Sequence, residues 1–287
     1  VKVLRVAKIR RRSQLGIAVP TEGGLRAVFG DAALYDLDEV VRSGIGAVSN
    51  IHRRCLDSGV FIGEEEVTYL PPLSRSSKIL CVGLNYRDHA EETGFVAPEY
   101  PTIFARFASG LVGHNAPLIK PRISDDFDFE GEMAIVIGKS GHEISTEDAL
   151  SHVGAYSIFN DGSVRDYQLR TTQWTVGKNF DGTGAFGPWL VSPEALPPGA
   201  TGLQLTTRLN GEVVQSASTA DMVFGVAELI SILSTAMTLE AGDVIVSGTP
   251  AGIGMTRTPP LYMRDGDICE VEIESVGCLR NPICRGQ

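Results

Sequence analysis

The sequence predicts an α+β, β-rich protein, with a small α/β unit over residues 1–73 and a larger sheet-based domain over 74–287. Three observations carry this. Short strand-like runs bounded by glycine, proline and asparagine recur along the chain. The run Met133-Ala134-Ile135-Val136-Ile137 is continuously apolar, as a strand buried on both faces is. Helical patterns are few. The clearest is set by Val226, Leu229, Ile230, Leu233 and Met237, which mark residues 223–237 as a packed amphipathic helix.

In chain order, residues 3–9 and 16–19 read as a hairpin, the glycines at 23 and 24 as a turn, and 25–29 as a third strand. The basic run Lys8-Ile9-Arg10-Arg11-Arg12 reads as a solvated hairpin end. A helix over 37–43 is capped by Asp36. Residues 71–77 are a linker by composition, and 78–84 a strand that opens the main domain. In the following stretch a short helix places His89 and Glu92 on one face, with Gly94 ending it. Such a pair is either a surface contact or a base held in one tautomer by a carboxylate.

Residues 101–107 form a strand candidate whose only charge is Arg106, either a partner for a surface acid or an anion contact. Ser145 starts a short helix, and 153–161 is a strand ending at Asp161. Residues 173–181 read as a polar-aromatic loop with Lys178 as its only cation. Asn210-Gly211 is the strongest turn signal, within a hairpin over 203–215. Residues 242–247 form a strand that runs into the glycine loop Gly248-Thr249-Pro250-Ala251-Gly252-Ile253-Gly254. That loop has neither the Gly-Lys-Ser/Thr nor the following helix of a nucleotide-binding motif. Residues 266–274 alternate and close the sheet, with Glu270, Glu272 and Glu274 on a solvated outer face.

A chain of 287 residues has room for a sizeable core, and a formal charge of −10 argues against nucleic-acid binding, which needs excess cations. No apolar run reaches membrane-spanning length, and Val1-Lys2-Val3-Leu4-Arg5 lacks a signal-peptide core. The chain opens on Val rather than Met, so these residues do not fix the natural start. Five cysteines without a Cys-x-x-Cys pair fit a reduced cytoplasm and speak against zinc.

The stretch with most chemistry is Asp128-Phe129-Glu130-Gly131-Glu132, which runs into the apolar strand. In a strand, Glu130 and Glu132 share a face. Beside a buried run, two carboxylates stay ionised only if a cation compensates them, and no Lys or Arg lies between Arg122 and Lys139. A bound metal satisfies this; a strand end whose two acids face water also does.

An ordered set of motifs spans residues 75–283: Asn85-Tyr86-x-x-His89-x-x-Glu92, Asp128-x-Glu130-Gly131-Glu132, Phe159-Asn160-Asp161, Arg165-Asp166-x-Gln168, Lys178-x-Phe180-Asp181, Gly187-Pro188 and Gly248-Thr249-Pro250-x-Gly252. This set resembles the fumarylacetoacetate hydrolase family. The resemblance implies a mixed β-sheet roll, a homodimer, and Mg2+ or Mn2+ held by Glu130, Glu132 and Asp161. It makes His89 and Glu92 the catalytic dyad, on a mobile segment that orders over substrate. Lys178 joins them at the reaction centre, and Tyr86, Arg106, Arg165, Gln168 and Thr249 contact substrate. Arg106 stands where many relatives have Lys, and the two cations differ in reach and hydrogen-bond geometry.

These parts imply hydrolysis of a 2,4-dioxo acid, an acylpyruvate or a sugar-derived analogue, to a 2-oxo acid and a carboxylic acid. The metal acts as a Lewis acid on the chelated 2-oxo acid, while the dyad activates water. The same site also serves oxaloacetate-type decarboxylases, tautomerases and hydratases. A non-catalytic, calcium-stabilised binding protein is the reading from another class; a His–Glu pair has no use there.

Overall fold

The computed structural model describes residues 3–30, 36–92 and 99–286. Gly94, expected to end the His89 helix, lies outside them.

One mixed sheet of twelve strands organises the chain. Its path runs through the strands Val60–Ile62, Gly24–Phe29, Gln14–Thr21, Arg5–Arg11, Gly184–Val191, Val153–Asn160, Gly131–Ile137, Val244–Val246, Ile79–Gly83 and Thr102–Ala105. The N-terminal strands therefore extend the main sheet, through Arg5 and Val6 paired with Val191 and Leu190. A second sheet of five strands contains the Gln204–Leu209 and Glu212–Ser218 hairpin, then Ile268–Ile273, Gly277–Arg285 and Leu118–Lys120. So the 266–274 segment closes the smaller sheet rather than the large one. Its Glu272 and Glu274 face outward as expected.

The Gly131–Ile137 strand explains its composition. Met133, Ile135 and Ile137 pack into one core, and Ala134 and Val136 into another on the opposite face. The first core is closed by the five-stranded sheet and by the helix Val226–Ala236, which buries Val226, Leu229, Ile230 and Leu233. The second is closed by the helices Leu37–Arg42 and Ala47–Ser58. A strand buried on both faces has no polar side to show, so the alternating pattern disappears.

Local signals placed several elements well. Asp36 caps the Leu37–Arg42 helix by accepting from the Asp38 N–H, and Ser145 caps Thr146–Ala149. Asn210 and Gly211 make the hairpin turn with φ of 54° and 86°, the left-handed pair that asparagine and glycine tolerate. Other elements differ from expectation. The helix Ala47–Ser58 and the strands Gly184–Val191 and Gly277–Arg285 were not anticipated. The 173–181 loop contains a helical turn at Thr175–Lys178.

The basic run is not uniformly solvated. Lys8 is buried and ion-paired to Asp36 at 2.7 Å and Asp38 at 2.8 Å. Asp38 also accepts from the Ser74 and Arg75 backbone, so the expected linker is pinned to the N-terminal strands through one carboxylate. Burial pushes the Asp38 carboxyl up, but Lys8 and these N–H groups outweigh it and hold it below its ordinary value. The stability Asp38 contributes is thus present above the unfolded pKa of about 3.9 and lost as pH falls through the lower folded value. Replacing Lys8 with Met strands a buried carboxylate; urea titration at neutral pH should show a loss of about 3 kcal/mol. A loss indistinguishable from zero would mean Asp38 is stabilised by the backbone donors alone.

Candidate active site

The site forms where strand ends meet. The chain leaves the short strand Phe127–Asp128, passes Phe129 and Glu130, and enters Gly131–Ile137. Glu130 therefore lies just before the strand rather than within it. Neighbouring Val153–Asn160 pairs antiparallel, with Gly131 opposite Asn160, and the next residue, Asp161, donates its N–H to the Glu130 carbonyl at 2.9 Å. This register brings Glu130, Glu132 and Asp161 together. All three are buried, each offering an oxygen within 4.8 Å of the others.

The absence of a nearby cation in sequence does not carry into space. Lys178 Nζ donates to Glu130 Oε2 at 2.6 Å and to Asp161 Oδ2 at 2.7 Å. Arg165 Nη1 lies 2.6 Å from Glu130 Oε1, while its Nε and Nη2 meet Asp128 Oδ2 at 2.9 and 2.8 Å. Arg106 pairs with Asp161 Oδ1 and also donates to the Gly162 carbonyl at 3.0 Å and to Thr183 Oγ1 at 3.1 Å. Four carboxylates (Asp128, Glu130, Glu132, Asp161) thus face three cations. Glu132 alone has no ion pair among the described residues; its Oε2 accepts the Gly248 N–H.

The electrostatics follow this count. Burial raises the Glu132 carboxyl, and the Asp161 and Glu130 charges add to that, so it lies well above the usual carboxylate range. Burial also opposes ionisation of Glu130, but Lys178 and Arg165 prevail and hold it below its ordinary value. Burial would lower the Lys178 ammonium; Asp161 and Glu130 raise it instead. Lys178 is therefore a fixed positive donor, not a base.

The donor set fits a hard divalent cation. Three convergent carboxylates give all-oxygen ligation, and Glu132 is the one of them that no Lys or Arg pairs among the described residues.

The short helix Arg87–Glu92 carries the other half of the site. His89 Nδ1 lies 3.7 Å from Glu92 Oε2, an ion-pair distance longer than a hydrogen bond. Glu92 accepts the Gly252 N–H at 3.0 Å and the Thr256 hydroxyl at 2.6 Å. Burial raises its carboxyl, but His89, Thr256 and Gly252 together bring it below its ordinary value, so it is ionised at neutral pH.

A cleft opens over the acids. His89, Glu130, Glu132, Arg165, Gln168, Lys178 and Thr249 line its polar side; Phe104, Leu169, Trp174 and Met255 form an apolar wall. Asp161 stands behind Lys178, and Glu92 behind His89. Two residues expected to touch substrate do not line the cleft. Arg106, 1% exposed, is spent on Asp161, Gly162 and Thr183. Tyr86 is wholly buried, and burial together with the nearby Glu132 charge raises its phenol. Arg165 and Gln168 reach the cleft, but Arg165 is already engaged by two carboxylates and by the Gln168 Oε1 at 2.8 Å.

Sequence reasoning missed Asp128 as a site residue. It is fully buried and accepts from Arg165, Gly254 N and Met255 N, which joins the acid cluster to the glycine loop. Its place two residues before Glu130 was the available signal. Gln215 was also missed: it accepts from Gly131 N and donates to Thr249 Oγ1 and the Pro250 carbonyl. A glutamine on a hairpin strand gives no such signal.

A buried carboxylate cluster that could hold a metal ion thus lies under a His–Glu helix, at the strand ends of this sheet. Residues 78–284 match the family model described as "Fumarylacetoacetate (FAA) hydrolase C-terminal", and the chain belongs to the fumarylacetoacetate hydrolase family. It is 40% identical over 236 residues to the rat mitochondrial protein named oxaloacetate tautomerase Fahd2a, covering 82% of this chain and 75% of that one. It is 45% identical over 223 residues to the oxaloacetate tautomerase YisK of Bacillus subtilis, covering 76% and 73%. Among solved structures, a fumarylacetoacetate hydrolase from Exiguobacterium antarcticum superposes with a TM-score of 0.84 at 35% identity, covering 98% and 99%.

Two outcomes test the site. Glu132→Gln should weaken Mg2+ binding at least tenfold by calorimetry, while unfolding free energy without metal changes by less than about 1 kcal/mol, because the amide oxygen can still accept the Gly248 N–H and no ion pair is lost. In the unmodified protein, Mg2+ affinity should rise with pH and binding should release protons, because the cation binds the ionised form of a carboxyl held above its ordinary range. An affinity independent of pH would contradict the raised carboxyl.

Proposed function

We propose that this protein interconverts the keto and enol forms of an oxaloacetate-type 2-oxo acid, with a divalent cation, Mg2+ or Mn2+, at Glu130, Glu132 and Asp161. The observation that supports this most is the approach of His89 to the carboxylate cluster in one cleft, in a chain 40% or more identical to two proteins named oxaloacetate tautomerase.

When bound, the cation supplies Lewis-acid polarisation of the substrate's carboxylate and keto oxygens. The chain supplies the proton work. His89, which faces the ionised Glu92, takes a proton from C3 of the keto form. The C3–H pair moves into the C2–C3 bond, the C2–O π pair moves onto the oxygen, and protonated His89 returns the proton to that oxygen; the reverse sequence gives the keto form. The Lys178 ammonium adds a fixed positive charge at the cleft wall, where negative charge develops on that oxygen. The apolar wall lowers the local dielectric, which strengthens each of these interactions.

A second reading, hydrolysis of the C–C bond of a 2,4-dioxo acid, draws support from the same dyad. A His oriented by an ionised carboxylate is equipped to take a proton from water, and the apolar wall of Phe104, Leu169 and Trp174 suits an acyl group. The homodimer expected of the family is part of the proposal, and analytical ultracentrifugation checks it.

Ultraviolet decay of enol-oxaloacetate tests the first reading. Added Mg2+ should raise the rate well above the uncatalysed one, and chelator should abolish the gain. His89→Ala should cost at least about 100-fold while Mg2+ still binds. Acylpyruvate turnover with pyruvate release, without enol decay, would replace tautomerisation by hydrolysis.

A further inference from the structure

The cleft contains His89, but what fixes His89 lies outside it. Thr256 does not line the cleft, yet its hydroxyl meets Glu92 Oε1 at 2.6 Å, the length of a charge-assisted O–H···O⁻ bond. The Ile253 carbonyl, at 3.1 Å, is the weaker competitor for the same proton. The Gly252 N–H completes the grip by reaching both Glu92 oxygens, at 3.1 and 3.0 Å.

The loop that makes this grip is built to hold still. Gly252 sits at φ of +100°, and a Cβ there would come 2.2 Å from the Val214 carbonyl oxygen, so glycine is required. Arg257 clamps the turn by donating to Val214 O at 2.6 Å and to Gly252 O at 3.0 Å. The same loop is fastened to the carboxylate cluster. Gly248 N donates to Glu132, Gly254 N to Asp128 at 2.8 Å, and Met255 N to Asp128 at 3.0 Å. Residues 248–256 thus touch both halves of the site.

We infer that Thr256 is a positioning residue for the reaction: its hydroxyl orients the Glu92 carboxylate, which faces His89 Nδ1 at 3.7 Å and so sets the orientation of the ring relative to the acid cluster. The inference rests on the reading of His89 as the base.

The test uses the Mg2+-loaded protein with enol-oxaloacetate as probe. Thr256→Val, which keeps the shape and removes the hydroxyl, should lower kcat about 10- to 100-fold with KM and Mg2+ affinity within twofold. Thr256→Ser should restore kcat to within about threefold, and Thr256→Ala, should the valine fit poorly, should repeat the loss. On a Glu92→Gln background, Thr256→Val should cost less than twofold, because the partner it acts through is already impaired. The 15N resonances of the His89 ring should move in Thr256→Val and return in Thr256→Ser. Wild-type kcat in Thr256→Val overturns the inference. So does an equal loss in Thr256→Ser, a parallel loss of Mg2+ affinity, or a full additive loss on the Glu92→Gln background. A fully active His89→Ala variant would instead overturn the reading of the base itself.

Discussion

The structure depends on one electrostatic arrangement: four buried carboxylates held at strand ends by three buried cations. Asp128, Glu130, Glu132 and Asp161 converge because antiparallel pairing sets Asp161 beside Glu130. Burying charge is expensive, and each carboxylate needs a partner. Lys178, Arg165 and Arg106 compensate three. The fourth, Glu132, is left with one backbone N–H and a strong tendency to stay protonated. A divalent cation would favour the ionised form of Glu132, so the unpaired carboxyl and the candidate metal site are one feature. The surrounding fold serves it: two hydrophobic cores hold the Gly131–Ile137 strand rigid, and the glycine loop ties its acids to the His89 helix.

The cations also differ in their tasks. Arg106 is consumed behind Asp161 and has no access to the cleft. Its guanidinium reaches Asp161, a carbonyl and a hydroxyl at once, which one ammonium would not do in the same planar geometry. Lys178 shares the acids but keeps a place on the cleft wall. Of these two buried basic residues, Lys178 lines the cleft and Arg106 does not.

Much of this was legible in the sequence, for physical reasons. The doubly buried strand announced itself by losing its alternation, the Asn210-Gly211 turn by its left-handed residues, and the acids by their spacing and by the ordered motif set. What was hidden depended on distance or on disguise. The lysine that meets Glu130 is 48 residues away, and the arginine that meets Asp161 is 55 away, so no local window shows them. The strand Gly184–Val191 carries Gly187-Pro188 at its middle, which reads as a break. The helix Ala47–Ser58 starts at Gly46 without a side-chain cap, and its buried Ser49 and His52 blur the apolar stripe of Val48, Ile51 and Cys55. Tyr86 and Arg106, placed at the substrate by the resemblance, are buried and do not line the cleft.

The most direct measurement is a crystal structure of the protein grown with Mn2+, with anomalous scattering recorded at a wavelength where manganese contributes. One ion per chain is expected, bonded to oxygens of Glu130, Glu132 and Asp161, in the cleft that His89 lines. A strong anomalous peak elsewhere, or full occupancy by Lys178 of the space between the three carboxylates at saturating Mn2+, would contradict it.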